Sequence, residues 1–394
     1  MINYLLLAGI AIGLGLLIGK GTHFLKITGV VGYIITGIII GPEILGIVEL
    51  TPIEIETMTN LALGFVAFII GGELTFSLMK KMGKSITAII IGESIGAFII
   101  VFLGVYLITH HVPEALIFAA MAPASAPAGA VAVIHEYRAK GKLTSAILAV
   151  VGFDDGLAII IYAFSITFVS LILSSGVFSI SSIIITPFIE IGGALLIGVS
   201  IGVFFAFILK RFVEKEEIIA VALTAILLTA GLSIMFGVSV ILSCMALGMV
   251  VINIFPQANK PVFEHIKTIS LPVYVIFFII AGLNLHIGLL LVSGFLGLIY
   301  IICRSIGLIG GSYLAAVISK ADPLIRDNIG FGILSQAGVA IGLALLASNK
   351  LSALGKPELG VLVVTTIAAT SVVFEIIGPL SARFAIMRAD EVGK

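Results

Sequence analysis

The chain has 394 residues, 60% hydrophobic and 11% charged, with mean hydropathy +1.30. Soluble domains carry about 25% charged residues and at most about half apolar ones, so a soluble globular protein is excluded. Twenty-one Lys and Arg balance 21 Asp and Glu, which leaves no basic surplus to attract nucleic acid.

Each helical crossing of a bilayer needs about 20 largely apolar residues. A transmembrane β-barrel would alternate apolar and polar residues over segments of about 10, whereas Ile86 to Ile108 runs apolar without such alternation. The sequence therefore predicts an all-α polytopic membrane protein, with the lipid bilayer as its first partner. Met1 to Gly19 is apolar from the start, lacks a basic leader region and a small-residue cleavage site, and reads as a retained first span. Cys244 and Cys303 both lie in apolar runs, where a buried thiol is commoner than a bridge or a metal ligand.

Apolar runs bounded by charges, Pro or Gly predict thirteen spans, at about 2–19, 26–41, 58–79, 86–108, 114–135, 143–172, 183–209, 217–235, 238–253, 270–288, 289–318, 325–347 and 358–382. With that count, 18 Lys and Arg fall on one side, including Lys80, Lys142, Lys260, Lys267, Arg326 and the tail's Arg383 and Arg388, and only Lys350 and Lys356 on the other. The positive-inside rule then puts the N-terminus outside and the C-terminus inside. With no organelle-targeting segment in view, the expected location is the cell membrane of a prokaryote. The outer loop 42–57 holds Glu43, Glu49, Glu54 and Glu56 and no base, which reads as a solvated loop or as a funnel that concentrates cations.

Thirteen spans divide into six, one and six, and the odd intervening span makes the second set enter from the opposite side, as in an inverted repeat. The fifth span of each set is interrupted, by Ala122-Pro123-Ala124-Ser125-Ala126-Pro127-Ala128-Gly129 and by Ser335-Gln336-Ala337-Gly338-Val339. Pro removes a backbone donor and clashes with the preceding turn, so Pro123 and Pro127 predict an opened helix with freed carbonyls near mid-membrane. Such backbone survives only beside protein or water.

Asp154-Asp155 in the sixth span is the strongest local signal, since one carboxylate at the bilayer centre costs at least ~2.5 kcal/mol. Counted from Leu143, the pair lies roughly 17 Å into the membrane. Adjacent helical positions point about 100° apart, so the two carboxylates are expected to meet different partners. Arg304, in the eleventh span, is the one Lys or Arg placed within the membrane, and Pro123, Pro127, Gln336 and Gly338 fall at the same depth. A buried ion pair that only fixes helix register would not need the second acid. Glu73, Glu93 and Glu375 are candidates for pairing or proton relay, and Glu190 lies near the end of the linking span. His110, His111, His135, His265 and His286 sit at loops or span ends, where a solvated imidazole is the plain reading.

These residues together resemble the second monovalent cation:proton antiporter family, especially its NapA-like sodium/proton antiporters. The similarity runs over nearly the whole chain, and its most specific parts are Asp154-Asp155 and Gln336-Ala337-Gly338-Val339-Ala340-Ile341-Gly342-Leu343. The resemblance implies an NhaA-like fold of two inverted six-helix repeats with two discontinuous crossing helices. It also implies a homodimer, with dimerisation-domain helices in residues 1–85 and 176–288, the latter including the linking helix. The core, or transport, helices would lie in 86–175 and 289–394. It implies that Asp155 binds Na⁺, Li⁺ or H⁺ with help from Asp154 and Ser125, that Asp154 pairs with the base, and that no cofactor is needed beyond the transported ions.

One departure is that relatives with the Asp pair usually carry Lys where this chain has Arg304. Arg does not release its proton, so two ionised carboxylates and one guanidinium give −1, which one Na⁺ or one H⁺ neutralises equally. That favours electroneutral exchange. The alternatives are a Kef-type potassium/proton antiporter, whose usual dinucleotide motif GxGxxG is missing here, and an organic-anion carrier on the same architecture. An intramembrane aspartyl protease needs its two acids on separate helices, which adjacent Asp154 and Asp155 cannot supply.

Overall fold

A backbone surrounded by hydrocarbon must satisfy its own polar groups, and helices do so within one segment. The structure, a computed structural model, describes residues 4–24, 29–42, 44–48, 51–173, 180–212, 214–283 and 287–393. Among these residues there are sixteen helical segments and no strand. Among them, seven helical stretches, counting 142–173 as one, are long and apolar enough to cross a membrane by length and composition, and six apolar helices are shorter.

The helices pack in two groups. α1 (Tyr4–Phe24), α2 (Gly29–Ile40) and α12 (Pro256–Leu283) lie together, while α3 (Pro52–Glu73) and α9 (Ile180–Leu209) flank α11 (Val240–Ile254), with α10 (Lys215–Met235) against both α9 and α11. In the other group α4 (Phe76–Thr109) runs along α13 (Ile287–Ile318), and α16 (Pro357–Arg388) packs on α13. The α4–α13 crossing is close because small residues face each other. A Cβ on Gly307 would meet the Ala97 Cα at 2.6 Å and the Gly96 carbonyl at 2.7 Å, and Gly311 lies against the Gly92 carbonyl. Association in lipid rests on such packing rather than on hydrophobic burial.

Both expected helix breaks are present. α5 (Val112–Met121) and α6 (Pro127–Glu136) are separated at 122–126, and α14 (Pro323–Gly332) and α15 (Gly338–Ala353) at 333–337. The sixth span, expected as one helix over 143–172, is also interrupted. α7 (Lys142–Val151) ends and α8 (Asp154–Leu173) begins across a turn at Gly152-Phe153. Gly is a weak helix former, and Asp154 and Asp155 then open α8, where acids favour the positive helix end. Two further boundaries move. α4 starts at Phe76 rather than 86, with a kink at Gly83 (φ 72°), and α12 starts at Pro256 rather than 270, which places Lys260 and Lys267 on a helix instead of in a loop. Pro suits a first helical position, since its missing N–H would be unpaired there anyway.

Candidate ion-binding site

The two main breaks touch. The Ala126 amide donates to the Ser335 carbonyl at 3.0 Å, and the Ser125 hydroxyl donates to the Ile333 carbonyl at 3.1 Å. Each break leaves carbonyls at the C-terminal end of a half-helix without intrahelical partners. Arg304 supplies those partners: Nε donates to Ala122 O (2.9 Å), Nη1 to Leu334 O (2.7 Å), and Nη2 to Ala124 O (2.9 Å) and Ser335 O (3.4 Å). The guanidinium also stacks over the Phe374 ring, 4.4 Å from its centroid. The planar fork is what lets one side chain serve two helix ends at once.

This differs from the expected Asp154–Arg304 ion pair. Arg304 is fully buried and spends its donors on backbone carbonyls, so the carboxylates act on it electrostatically rather than through a direct bond. The negative ends of two half-helix dipoles converge on the guanidinium, and that convergence outcompetes a side-chain acid.

Gln336 makes a second tie across the breaks, donating from Nε2 to Met121 O (3.0 Å), Ala124 O (3.5 Å) and the Tyr300 hydroxyl (2.9 Å). Tyr300, one turn before Arg304, was not singled out from the sequence. Its signal was a Tyr four residues ahead of the one base in an apolar helix, the spacing that puts both side chains on one face. Phe374 was missed as well, because an apolar residue next to Glu375 looks like ordinary core.

Asp154 and Asp155 stand at the N-terminus of α8, and the Asp155 amide donates to Asp154 Oδ1 at 2.7 Å. Asp154 is fully buried beside Ser125, while Asp155 keeps 5% exposure. Glu93, on α4, is fully buried and close enough to Asp154 and Arg304 to interact with both; its Oε1 accepts the Ser94 hydroxyl at 2.6 Å. Glu375 is buried on α16, whose Gly378 lies against the backbone of Ser335. Gly338 opens α15, with the Phe278 ring in contact distance. Pro123 lies buried in the first break. The side chains of Glu73 and Pro127, and residues Glu43 and Glu49, lie outside what the structure describes. Glu190 sits away from the breaks, accepting the Thr167 hydroxyl at 2.9 Å.

Three buried oxygens near this crossing, Asp154 Oδ2, Gln336 Oε1 and Ser335 Oγ, have no hydrogen-bond partner among the described residues. Unpartnered buried oxygens are costly. Oxygen is the ligand type that a hard cation prefers.

A helical bundle with two broken helices crossing beside buried carboxylates is the architecture of a secondary ion transporter. The sequence profile of the transmembrane sodium/hydrogen exchanger matches residues 9–381, and the chain belongs to that family. Two structures of the sodium proton antiporter MjNhaP1 from Methanocaldococcus jannaschii, one at pH 8 and one from an electron-microscopy map, share its fold. Their TM-scores are 0.77 and 0.71, each at 18% identity over 98% of both chains. No curated protein matches the sequence significantly.

Proposed function

We propose that this chain exchanges Na⁺ or Li⁺ for H⁺ by alternating access, with Asp155 as the ion-binding carboxylate and Asp154 and Ser125 as assisting oxygens. The observation that carries the reading is the adjacent carboxylate pair opening α8 beside two helix breaks whose carbonyls Arg304 has already satisfied. Because the guanidinium is committed to the backbone, the carboxylates are left for cargo. Na⁺ and H⁺ then compete for one place, and exchange follows without ATP or a covalent intermediate.

The chain crosses the cell membrane of a prokaryote thirteen times, with the N-terminus outside and the C-terminus inside. The group containing α4–α8 and α13–α16 moves as the core against α1–α3 and α9–α12, through which two copies pair. Arg304 stays charged, so the exchange is one for one and electroneutral. Competition makes the apparent Na⁺ affinity fall as the pH is lowered.

The test is purified protein in liposomes with an imposed pH gradient, to which Na⁺, Li⁺, K⁺ or choline is added while internal pH is followed. A saturable Na⁺ or Li⁺ response that Asp155→Asn abolishes is the expected result. Normal exchange by folded Asp155→Asn rejects the site, and a response to K⁺ alone moves the assignment to potassium/proton exchange. A transport current under a clamped potential rejects electroneutrality.

A further inference from the structure

We propose that the core binds an anionic phospholipid where α13, α14 and α16 end together, with the lipid phosphate held by Arg388 and Arg326. A cavity of about 350 Å³ opens there, lined by Ile309, Gly310, Tyr313, Arg326, Asp327, Phe331 and Arg388 among others. The placement in the cytoplasmic leaflet rests on the orientation proposed above.

The lining is graded in the order a phospholipid is. Arg388 ends α16 and Arg326 lies in the first turns of α14, so both cations sit at the rim. Tyr313 lies five residues before the end of α13, roughly 8 Å deeper, and the Arg326 guanidinium is 5.8 Å from its ring. Gly310 forms open floor, since a Cβ there would meet nothing within 4 Å, and Phe331 packs edge-on against Phe384 as an aromatic wall. Around this pocket Leu314, Ile318, Leu380 and Phe384 are exposed apolar side chains, a surface for acyl chains.

The charges select the headgroup. Arg326 donates to both oxygens of Asp327, at 2.6 and 3.1 Å, which cancels one cation and uses part of its fork. Arg388 makes no side-chain hydrogen bond or ion pair among the described residues. The lining is left with a net charge of +1, the complement of one phosphodiester. A zwitterionic lipid would bring a second cation to that rim, and free phosphate would leave the apolar depth of the pocket unused. Basic pockets between membrane helices at the cytoplasmic interface bind acidic headgroups in this way.

The experiment is thermal unfolding of the detergent-purified full chain titrated with dioleoylphosphatidylglycerol, dioleoylphosphatidylcholine or inorganic phosphate. Phosphatidylglycerol is expected to raise Tm saturably while the other two do not. Arg388→Gln, which breaks no side-chain hydrogen bond or ion pair among the described residues and removes only an electrostatic attraction to Asp327, is expected to weaken the apparent affinity about tenfold, the loss of one charge-assisted bond. Gly310→Leu fills the floor without changing charge and is expected to weaken it as well. Equal stabilisation by phosphatidylcholine, the same shift from phosphate alone, or an undiminished response in both variants overturns the proposal. Binding is read without ion flux, so it stands or falls separately from the transport reading.

Discussion

Arg304 Nε donates to the carbonyl oxygen of Ala122 at 2.9 Å, and the same guanidinium reaches Leu334 O, Ala124 O and Ser335 O. The base therefore holds two broken helices together at their carbonyl ends. Arg304→Lys keeps the charge but replaces a planar fork of five donors with three donors on one nitrogen, which cannot span both breaks. Each buried carbonyl left unpaired costs about 1–3 kcal/mol. Arg304→Lys is accordingly expected to lose roughly 2 kcal/mol or more of stability, measured by unfolding in detergent. A lysine variant as stable as the parent would mean that charge alone matters at this position.

The breaks themselves were legible, because Pro123, Pro127, Gln336 and Gly338 interrupt otherwise apolar runs in corresponding places. What the sequence hid was the partner of Arg304: the freed carbonyls were foreseen, but charge counting assigned the base to a carboxylate. Backbone acceptors carry no letter in a sequence, and only the crossing geometry shows that four of them converge. The turn at Gly152-Phe153 carried a sign, Gly152 ahead of two acids, but the apolar runs on either side of it read together as one span of bilayer-crossing length. Glu93 reaches the site through the glycine-lined α4–α13 crossing, a long-range contact that periodicity within one helix cannot reveal.

That crossing gives a paired prediction. At Gly307 an added Cβ meets the Ala97 and Gly96 backbone at 2.6–2.7 Å, whereas at Gly310 it meets nothing within 4 Å. Gly307→Ala is expected to push α13 off α4, at an overpacking cost of about 1–3 kcal/mol, and to move Arg304, three residues away, off its carbonyls with loss of exchange. Gly310→Ala lacks that clash and gains helix propensity of up to ~1 kcal/mol, so its stability should match or exceed the parent's. Thermal unfolding of both variants decides it, and equal behaviour would remove the close crossing as the cause.

Asn253 bridges the chain where α3 ends and α4 begins. Its Oδ1 accepts the Phe76 amide at 2.6 Å, and its Nδ2 donates to Leu74 O at 2.8 Å and Met249 O at 2.7 Å. The Leu74 side chain lies 3.4 Å from where a Cβ on Gly156 would be, one residue beyond Asp155. Asn253→Leu keeps the branched four-atom outline, with more bulk, but removes all three bonds, at a cost of about 1–3 kcal/mol. Limited proteolysis at residues 74–83 is expected to quicken in that variant. An unchanged cleavage rate would show that packing alone fixes the connection.

The last turn of the chain grips the start of α7. Glu391 accepts the Leu143 amide at 2.8 Å, the Thr144 amide at 2.7 Å and the Thr144 hydroxyl at 2.7 Å, and its own carbonyl accepts the Lys140 amide at 3.1 Å. A carboxylate on unpaired first-turn amides also meets the positive end of the helix. Glu391→Ala removes three acceptor contacts and is expected to cost about 1–3 kcal/mol, with faster hydrogen exchange at Leu143 and Thr144 as the local readout. Glu391→Gln keeps one carbonyl oxygen as acceptor and loses the charge, so it should fall between the parent and Glu391→Ala. If Glu391→Gln exchanges as fast as Glu391→Ala, the charge rather than the hydrogen bonds holds the tail. The distinction bears on the site because α7 runs directly into the Gly152-Phe153 turn that presents Asp154 and Asp155.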